Sequence, residues 1–211
     1  MNEALCSVLC GEDMWCFDTE GRHIKFNEDG TGELWCRCNF NYWIAAEFKW
    51  RRIESSCNQT EIPRTLRQAR ENNNAKLLGQ LDLDMTLSKQ LPKWTEGSTL
   101  KTSTMVNEHS LTDDAFRPKS YAVRIEKGNF VEPSSIGFLP NSDKPRFAIR
   151  LLFDKSPYPP RSEWKTPDGG PDTGEFWDHV EFVSRCSPDL LKEGKAMNEL
   201  TTGGWYECIV V

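Results

Sequence analysis

Regular alternation of apolar and polar residues predicts β-strands in several parts of the chain. In Leu81–Ser88 every second residue is apolar, and the same period of two recurs in Tyr121–Glu126 and Arg146–Asp154. Successive side chains of a strand point to opposite faces, so each of these segments has one apolar face that must be covered. The full set of predicted strands is Trp15–Asp18, His23–Phe26, Gly32–Phe40, Tyr42–Ile53, Gly79–Leu91, Ser120–Lys127, Arg146–Asp154 and Trp205–Val211.

The segments between these strands are polar or contain glycine and proline, which is typical of an antiparallel meander. In FNEDGTGEL, residues 26–34, the Asn and Asp side chains can hydrogen-bond nearby backbone, and Gly30 and Gly32 can adopt positive φ. This segment therefore predicts a hairpin turn. Because closing a long meander removes its exposed edges, we expect an all-β fold, with residues 1–211 forming a single antiparallel β-barrel domain.

Residues 154–186 predict a lid over one mouth of the barrel. Ser156–Gly174 contains five prolines and three glycines around Tyr158 and Trp164, which indicates an ordered loop packed on the barrel. In Phe176–Cys186 the apolar residues have helical spacing, which favours a short helix, although the same segment also permits a strand.

Composition and charge exclude several classes of partner. The net charge is −6 and the basic residues are spread thinly, so no basic stripe is available for a nucleic acid backbone. No segment approaches the ~20 apolar residues that a membrane span requires. The first residues lack the basic start of a signal peptide, so we expect a cytoplasmic protein without membrane contact.

Cofactor and metal motifs are absent from the sequence. The eight cysteines contain no Cys-x-x-Cys pair, so we expect reduced thiols and no metal site. No phosphate-binding loop, dinucleotide fingerprint or Gly-x-Ser-x-Gly motif occurs, and we therefore expect no cofactor and no serine hydrolase.

Three residues are candidates for catalysis. His23 could face Cys16 across the first hairpin, and the alternative is an exposed strand residue beside a buried Cys16. Arg124 and Arg150 lie on the polar faces of their strands. Either arginine would hold an oxyanion if it pointed into a cavity, and the alternative is a surface arginine paired with a glutamate.

The chain resembles a known superfamily in its first strands. Gly11 and Trp15 precede the DGTG hairpin and the long strands rich in Trp and Phe, and in this order the chain resembles the calycin superfamily of lipocalin-like β-barrels. The phrases FNEDGTGEL and FDKSPYPPR are also similar to uncharacterised fungal proteins of similar length. The resemblance implies a barrel that holds one small ligand, and an arginine, for which Arg150 is the candidate, stacked on Trp15.

The aromatic and apolar residues of the barrel predict the ligand site. A barrel of this size is filled either by side chains or by a ligand. The expected ligand-binding residues are Trp15, Phe48, Trp50, Met85, Tyr121 and Phe147. We expect the protein to bind a small hydrophobic molecule, and the fungal resemblance favours a cofactor-free isomerase or cyclase of secondary metabolism. The alternatives are a carrier without turnover and an interaction module with a solid barrel, and the oligomeric state stays open.

Overall fold

The computed structural model describes residues 2–38, 41–53, 75–95, 106–135, 144–187 and 190. Its eight strands are β1 (Trp15–Cys16), β2 (His23–Phe26), β3 (Thr31–Cys38), β4 (Asn41–Ile53), β5 (Lys76–Leu87), β6 (Lys119–Phe130), β7 (Phe147–Phe153) and β8 (Glu181–Cys186). The described residues also include the α-helices α1 (Asn2–Cys10) and α2 (Gly170–Gly174). Short 3-10 helices span Lys93–Thr95, Asn107–His109, Asp113–Phe116, Pro133–Ser135, Arg161–Glu163 and Phe176–Asp178.

The strands form one closed, antiparallel ring, which is called the barrel below. Each strand pairs with the next along the chain, and β1 closes the ring against β8 through the pair Cys16 and Val183. The prediction of an all-β antiparallel meander is confirmed. The predicted strand at Trp205–Val211 lies outside the described residues.

One face of the strands forms the interior of the barrel. Leu81, Leu83, Met85 and Leu87 of β5 are buried in the main apolar cluster, as the alternating pattern predicts. Asp84, between them, lies on the outer face and accepts hydrogen bonds from Arg51 and Ser120. Because the period of a strand is two, the aspartates alternate outward whenever the leucines point inward.

Helix α1 covers one end of the barrel, and the sequence reasoning assigned no helix there. Leu5 and Leu9 are buried in the main cluster, and the Trp15 indole N–H donates a 3.0 Å hydrogen bond to the Leu9 carbonyl. Gly79 of β5 allows Leu5 to pack against this strand, because a Cβ at Gly79 would lie 2.3 Å from Cδ1 of Leu5.

The hairpin turn at residues 27–30 lies at the same end of the barrel as α1. Gly30 has a φ of 79°, which confirms the predicted reversal.

The lid covers the opposite end. Tyr158 and Trp164 are buried, so the prediction of an ordered loop packed on the barrel is confirmed. The prediction of a helix at Phe176–Cys186 is wrong, because only a short 3-10 helix forms at Phe176–Asp178 and strand β8 follows. Here β7 and β1 both offer unpaired edges, and a strand that pairs with both satisfies more backbone groups than an isolated helix would. Among the described residues, no helix has the length and apolar character that crossing a bilayer requires.

Candidate functional site

A pocket of about 320 Å³ lies at the lid end of the barrel. We call it the mouth pocket, and its walls are formed by Lys119, Tyr121, Lys155, Ser156, Tyr158, Pro160, Glu163 and Trp177. Its volume lies near the lower limit of small-molecule sites, which measure about 300–1,000 Å³. The walls come from the first residues of β6 and from the lid, which begins directly after β7.

Hydrogen bonds to backbone carbonyls hold the lid in place beside this pocket. The Ser156 hydroxyl donates a 2.9 Å bond to the carbonyl of Phe176 and accepts the backbone N–H of Tyr158. The Tyr158 hydroxyl donates a 2.8 Å bond to the carbonyl of Trp35 in β3. Burial raises the pKa of Tyr158 well above its ordinary value, so this hydroxyl keeps its proton and stays a donor.

The charges at the pocket are unevenly paired. The Lys119 ammonium forms an ion pair with the Glu163 carboxylate, and both side chains are largely buried. The Lys155 ammonium lies 5.1 Å from the centre of the Tyr121 ring, in a cation–π contact. Within the part of the chain that the structure describes, Lys155 forms no ion pair. The pocket therefore keeps one positive charge without a carboxylate partner.

Tyr121 provides the floor of the pocket. Its ring packs edge to face on Phe153, with ring centres 5.9 Å apart. Burial raises the pKa of its hydroxyl, and the charges of Glu163 and Asp154 add to this effect. The phenol is therefore protonated at neutral pH. It can donate a hydrogen bond to a bound molecule, but it is not suited to act as a base.

His179 lies behind the pocket and was assigned no role from the sequence. Its ring stacks on Phe17 with ring centres 3.6 Å apart, and it meets the edge of Tyr158 at 5.9 Å. Burial lowers its pKa to about 3, and the charge of Arg22 acts in the same direction. The imidazole is therefore neutral in the folded protein, and its Nδ1 atom has no hydrogen-bond partner among the described residues.

The buried neutral imidazole predicts a loss of stability in acid. Below a pH of about 6.5 the unfolded chain protonates His179, whereas the folded protein does so only near pH 3. The contribution of His179 to stability is therefore fully present above about pH 6.5 and is lost as the pH falls toward about 3. Between about pH 7 and about pH 5 the free energy of unfolding should fall by about 2 kcal/mol. Urea unfolding at the two pH values measures the loss, which His179→Gln should remove. His109→Gln, at an exposed histidine, serves as the control, and an equal acid effect in both variants would contradict the assignment.

The three catalytic candidates from the sequence lie outside this pocket. His23 is on the outer face of β2, where it stacks against Trp35 with ring centres 5.8 Å apart. Arg124 and Arg150 also lie on the outer face, because they alternate with Ile125 and Leu151 of the interior. Both arginines are paired with Glu126, which corresponds to the alternative of an arginine paired with a glutamate.

Arg150 is the centre of a buried ion network on that outer face. Its guanidinium bonds Glu126 at 2.6 Å and Glu181 at 2.9 Å, and Arg124 pairs with Glu126 at 3.1 Å. The ring of Phe130 lies 4.4 Å from the guanidinium carbon and covers it. The expected stacking of Arg150 on Trp15 is therefore wrong, because Trp15 points into the barrel while Arg150 points out of it.

Of the six expected ligand-binding residues, Tyr121 lines the mouth pocket. Trp15, Phe48 and Met85 are buried in the interior cluster, where they pack against other side chains. Trp50 is half-buried and donates its indole N–H to the carbonyls of Asn27 and Thr31.

Phe147 belongs to a separate buried cluster with Phe130 and Val183. The sequence reasoning missed the other pocket residues, although the segment FDKSPYPPR, which it singled out, contributes Lys155, Ser156, Tyr158 and Pro160.

Metal-binding groups and similarity to known proteins were the two other possible indications of function. Among the described residues, no three His, Cys, Asp or Glu side chains are grouped closely enough to hold a metal ion. Comparison of the chain with protein-family models, with curated proteins and with solved structures finds no match.

Proposed function

We propose that the protein binds a small, mostly apolar molecule in the mouth pocket and acts as a lipocalin-like carrier or sequestering protein. The observation that carries this proposal is the pocket of about 320 Å³ walled by the rings of Tyr121, Tyr158 and Trp177. Aromatic walls bind flat apolar groups by burying large areas and by stacking. The interior of the barrel is occupied by packed side chains, so the proposed site lies at the mouth.

Two features of the lid support retention of such a molecule. Tyr158 ties the lid to β3, and Arg161 forms bonds of 2.7–2.8 Å with Asp168 and Asp172. A lid held in one conformation loses little entropy when a ligand binds under it. The resemblance to calycin barrels implies one small ligand in the interior of the barrel, whereas the site proposed here lies at its mouth.

A cofactor-free isomerase or cyclase of fungal secondary metabolism is the second candidate. It is favoured by the Lys119–Glu163 pair, which places an acid and a base at the wall of the pocket. Such a pocket would lower the entropic part of a barrier by holding a reactive substrate in a folded conformation. Conversion of the bound molecule into an isomer by the purified protein, abolished in Glu163→Gln, would favour the enzyme over the carrier.

Native mass spectrometry of the protein purified from its own organism tests the carrier proposal. We expect the mass of a bound small molecule in the wild type and a loss of most of it in Trp177→Ala. Removing about 60 Å² of buried apolar contact costs about 1.5 kcal/mol, or roughly tenfold in affinity. Trp50→Ala is the matched control, because Trp50 is also half-buried but lies at the other end of the barrel. A ligand-free wild type, or equal occupancy in both variants, would contradict the proposal.

A further inference from the structure

We propose that the mouth pocket selects a planar monocarboxylic acid, whose carboxylate is held between the Lys155 ammonium and the Tyr121 hydroxyl. This inference rests on the proposed function and adds the chemical class of the ligand. It follows from the charges of the wall, from the free hydrogen-bonding groups and from the shape of the pocket, which are taken in turn.

The wall of the pocket has an excess of one positive charge. Its eight residues include two lysines, Lys119 and Lys155, and a single carboxylate, Glu163. The ion pair between Lys119 and Glu163 neutralises both of these groups. The chain as a whole has a net charge of −6, so a local excess of positive charge opposes the overall field of the protein. The remaining charge, on Lys155, therefore favours an anionic group in this pocket.

Two donors are available to such an anion. The Lys155 ammonium lies 5.1 Å from the centre of the Tyr121 ring, and both residues belong to the wall of the pocket. In the part of the chain that the structure describes, the Tyr121 hydroxyl has no hydrogen-bond partner, and burial keeps it protonated. A carboxylate has two oxygens, and it can accept one bond from each donor.

A neighbouring carboxylate limits the ligand to a single negative charge. Asp154 lies close to the pocket, where its carboxylate accepts the backbone N–H groups of Ala122 and Lys155. Because the charge of Glu163 is neutralised by Lys119, it is Asp154 that would repel the second charge of a phosphate monoester or a dicarboxylate. One ammonium and one nearby carboxylate therefore match a monocarboxylate better than a dianion.

The rest of the wall favours a flat group attached to that carboxylate. The rings of Tyr158 and Trp177 and the ring of Pro160 line the pocket, and none of them carries a charge. Flat faces of this kind contact a conjugated or aromatic group over its whole area. A planar acid would place its carboxylate at Lys155 and its apolar part against these rings.

Isothermal titration calorimetry with cinnamate and with its neutral isostere cinnamamide tests the inference. The wild type should bind cinnamate about fivefold to tenfold more tightly, because a charge-assisted contact at a partly exposed lysine adds about 1–1.5 kcal/mol. Lys155→Gln should remove this preference while cinnamamide binds as before. Lys49→Gln, at an exposed lysine of β4, is the matched control and should keep the preference. Tyr121→Phe should weaken cinnamate binding severalfold.

The outcomes separate this inference from the proposed function. Equal affinity of the wild type for the two compounds, or an unchanged preference in Lys155→Gln, would overturn the carboxylate selectivity and leave the pocket as a site for neutral molecules. An unchanged affinity of Tyr121→Phe for cinnamate would overturn the role of the hydroxyl. If the wild type bound neither compound, the inference would be overturned, whereas the proposed function is decided separately by the native mass spectrometry described above.

Discussion

Replacing Arg150 by methionine is expected to lower the free energy of unfolding by about 3–5 kcal/mol. Arg150 is 2 % exposed and bonds both Glu126, 2 % exposed, and Glu181, 7 % exposed. Without the guanidinium, two carboxylates would remain in a region that excludes water, and Arg124 could pair with one of them only. The loss therefore reflects the cost of unpaired buried charge, and urea unfolding at neutral pH measures it.

Arg51→Met is the matched control for this prediction. Arg51 also lies on the outer face of its strand and forms a 2.8 Å ion pair with Asp84, but its side chain is 81 % exposed. Exposed ion pairs contribute about 0–1 kcal/mol, so the same substitution should have a small effect there. Adding Glu126→Gln to Arg150→Met should recover part of the lost stability. Equal losses in the two single variants would show that the Arg150 network is open to solvent.

Replacing Trp15 by alanine is expected to lower the free energy of unfolding by about 3–5 kcal/mol as well. The side chain is fully buried at the α1 end of the barrel, so its removal leaves a large cavity. It also removes the bond from the indole N–H to the carbonyl of Leu9, which ties α1 to the barrel. Both losses act on the same element, and denaturant unfolding measures their sum.

Two further variants separate these contributions. Trp15→Phe keeps most of the buried ring but removes the bond to Leu9, and it should cost less than the alanine variant. Met14→Ala changes the exposed neighbour of Trp15 and should leave the stability within about 0.5 kcal/mol of the wild type. An unchanged unfolding midpoint in Trp15→Ala would contradict the position of this side chain in the barrel.

The local pattern of apolar and polar residues was sufficient to predict strands that have one buried and one exposed face. The alternation in β5, with Leu83 inward and Asp84 outward, is a property of neighbouring residues and needs no knowledge of the rest of the fold. Strand β8 was mistaken for a helix because Phe182 and Val183 are both buried, which removes the alternation. Its conformation depends on the edges of β1 and β7, and these are distant in sequence.

Dependence on distant parts of the chain also explains why the surroundings of Arg150 and most of the pocket residues were not predicted from the sequence. Arg150 lies on a polar face by its pattern, but Phe130 at the end of β6 covers it, and this contact follows the shift in pairing register between Lys127 and Phe130. Tyr121 belongs to a regular strand and was identified as a site residue. Lys155 belongs to a loop without periodicity, and Trp177 belongs to a segment whose spacing favoured a helix, so neither pattern predicts that the two residues line one pocket.

The closure of the ring by β1 and β8 has a consequence for synthesis on the ribosome. From β2 to β8, each strand pairs with the one before it, so pairing can begin as soon as each hairpin has emerged. Strand β1 pairs with β2 on one edge, but its other edge must wait for Val183. Until then the indole of Trp15 and the apolar side of α1 have an incomplete barrel to pack against. The indole of Trp15 and the apolar side of α1 therefore stay incompletely covered until β8 has been translated, and chaperones protect such surfaces on a nascent chain.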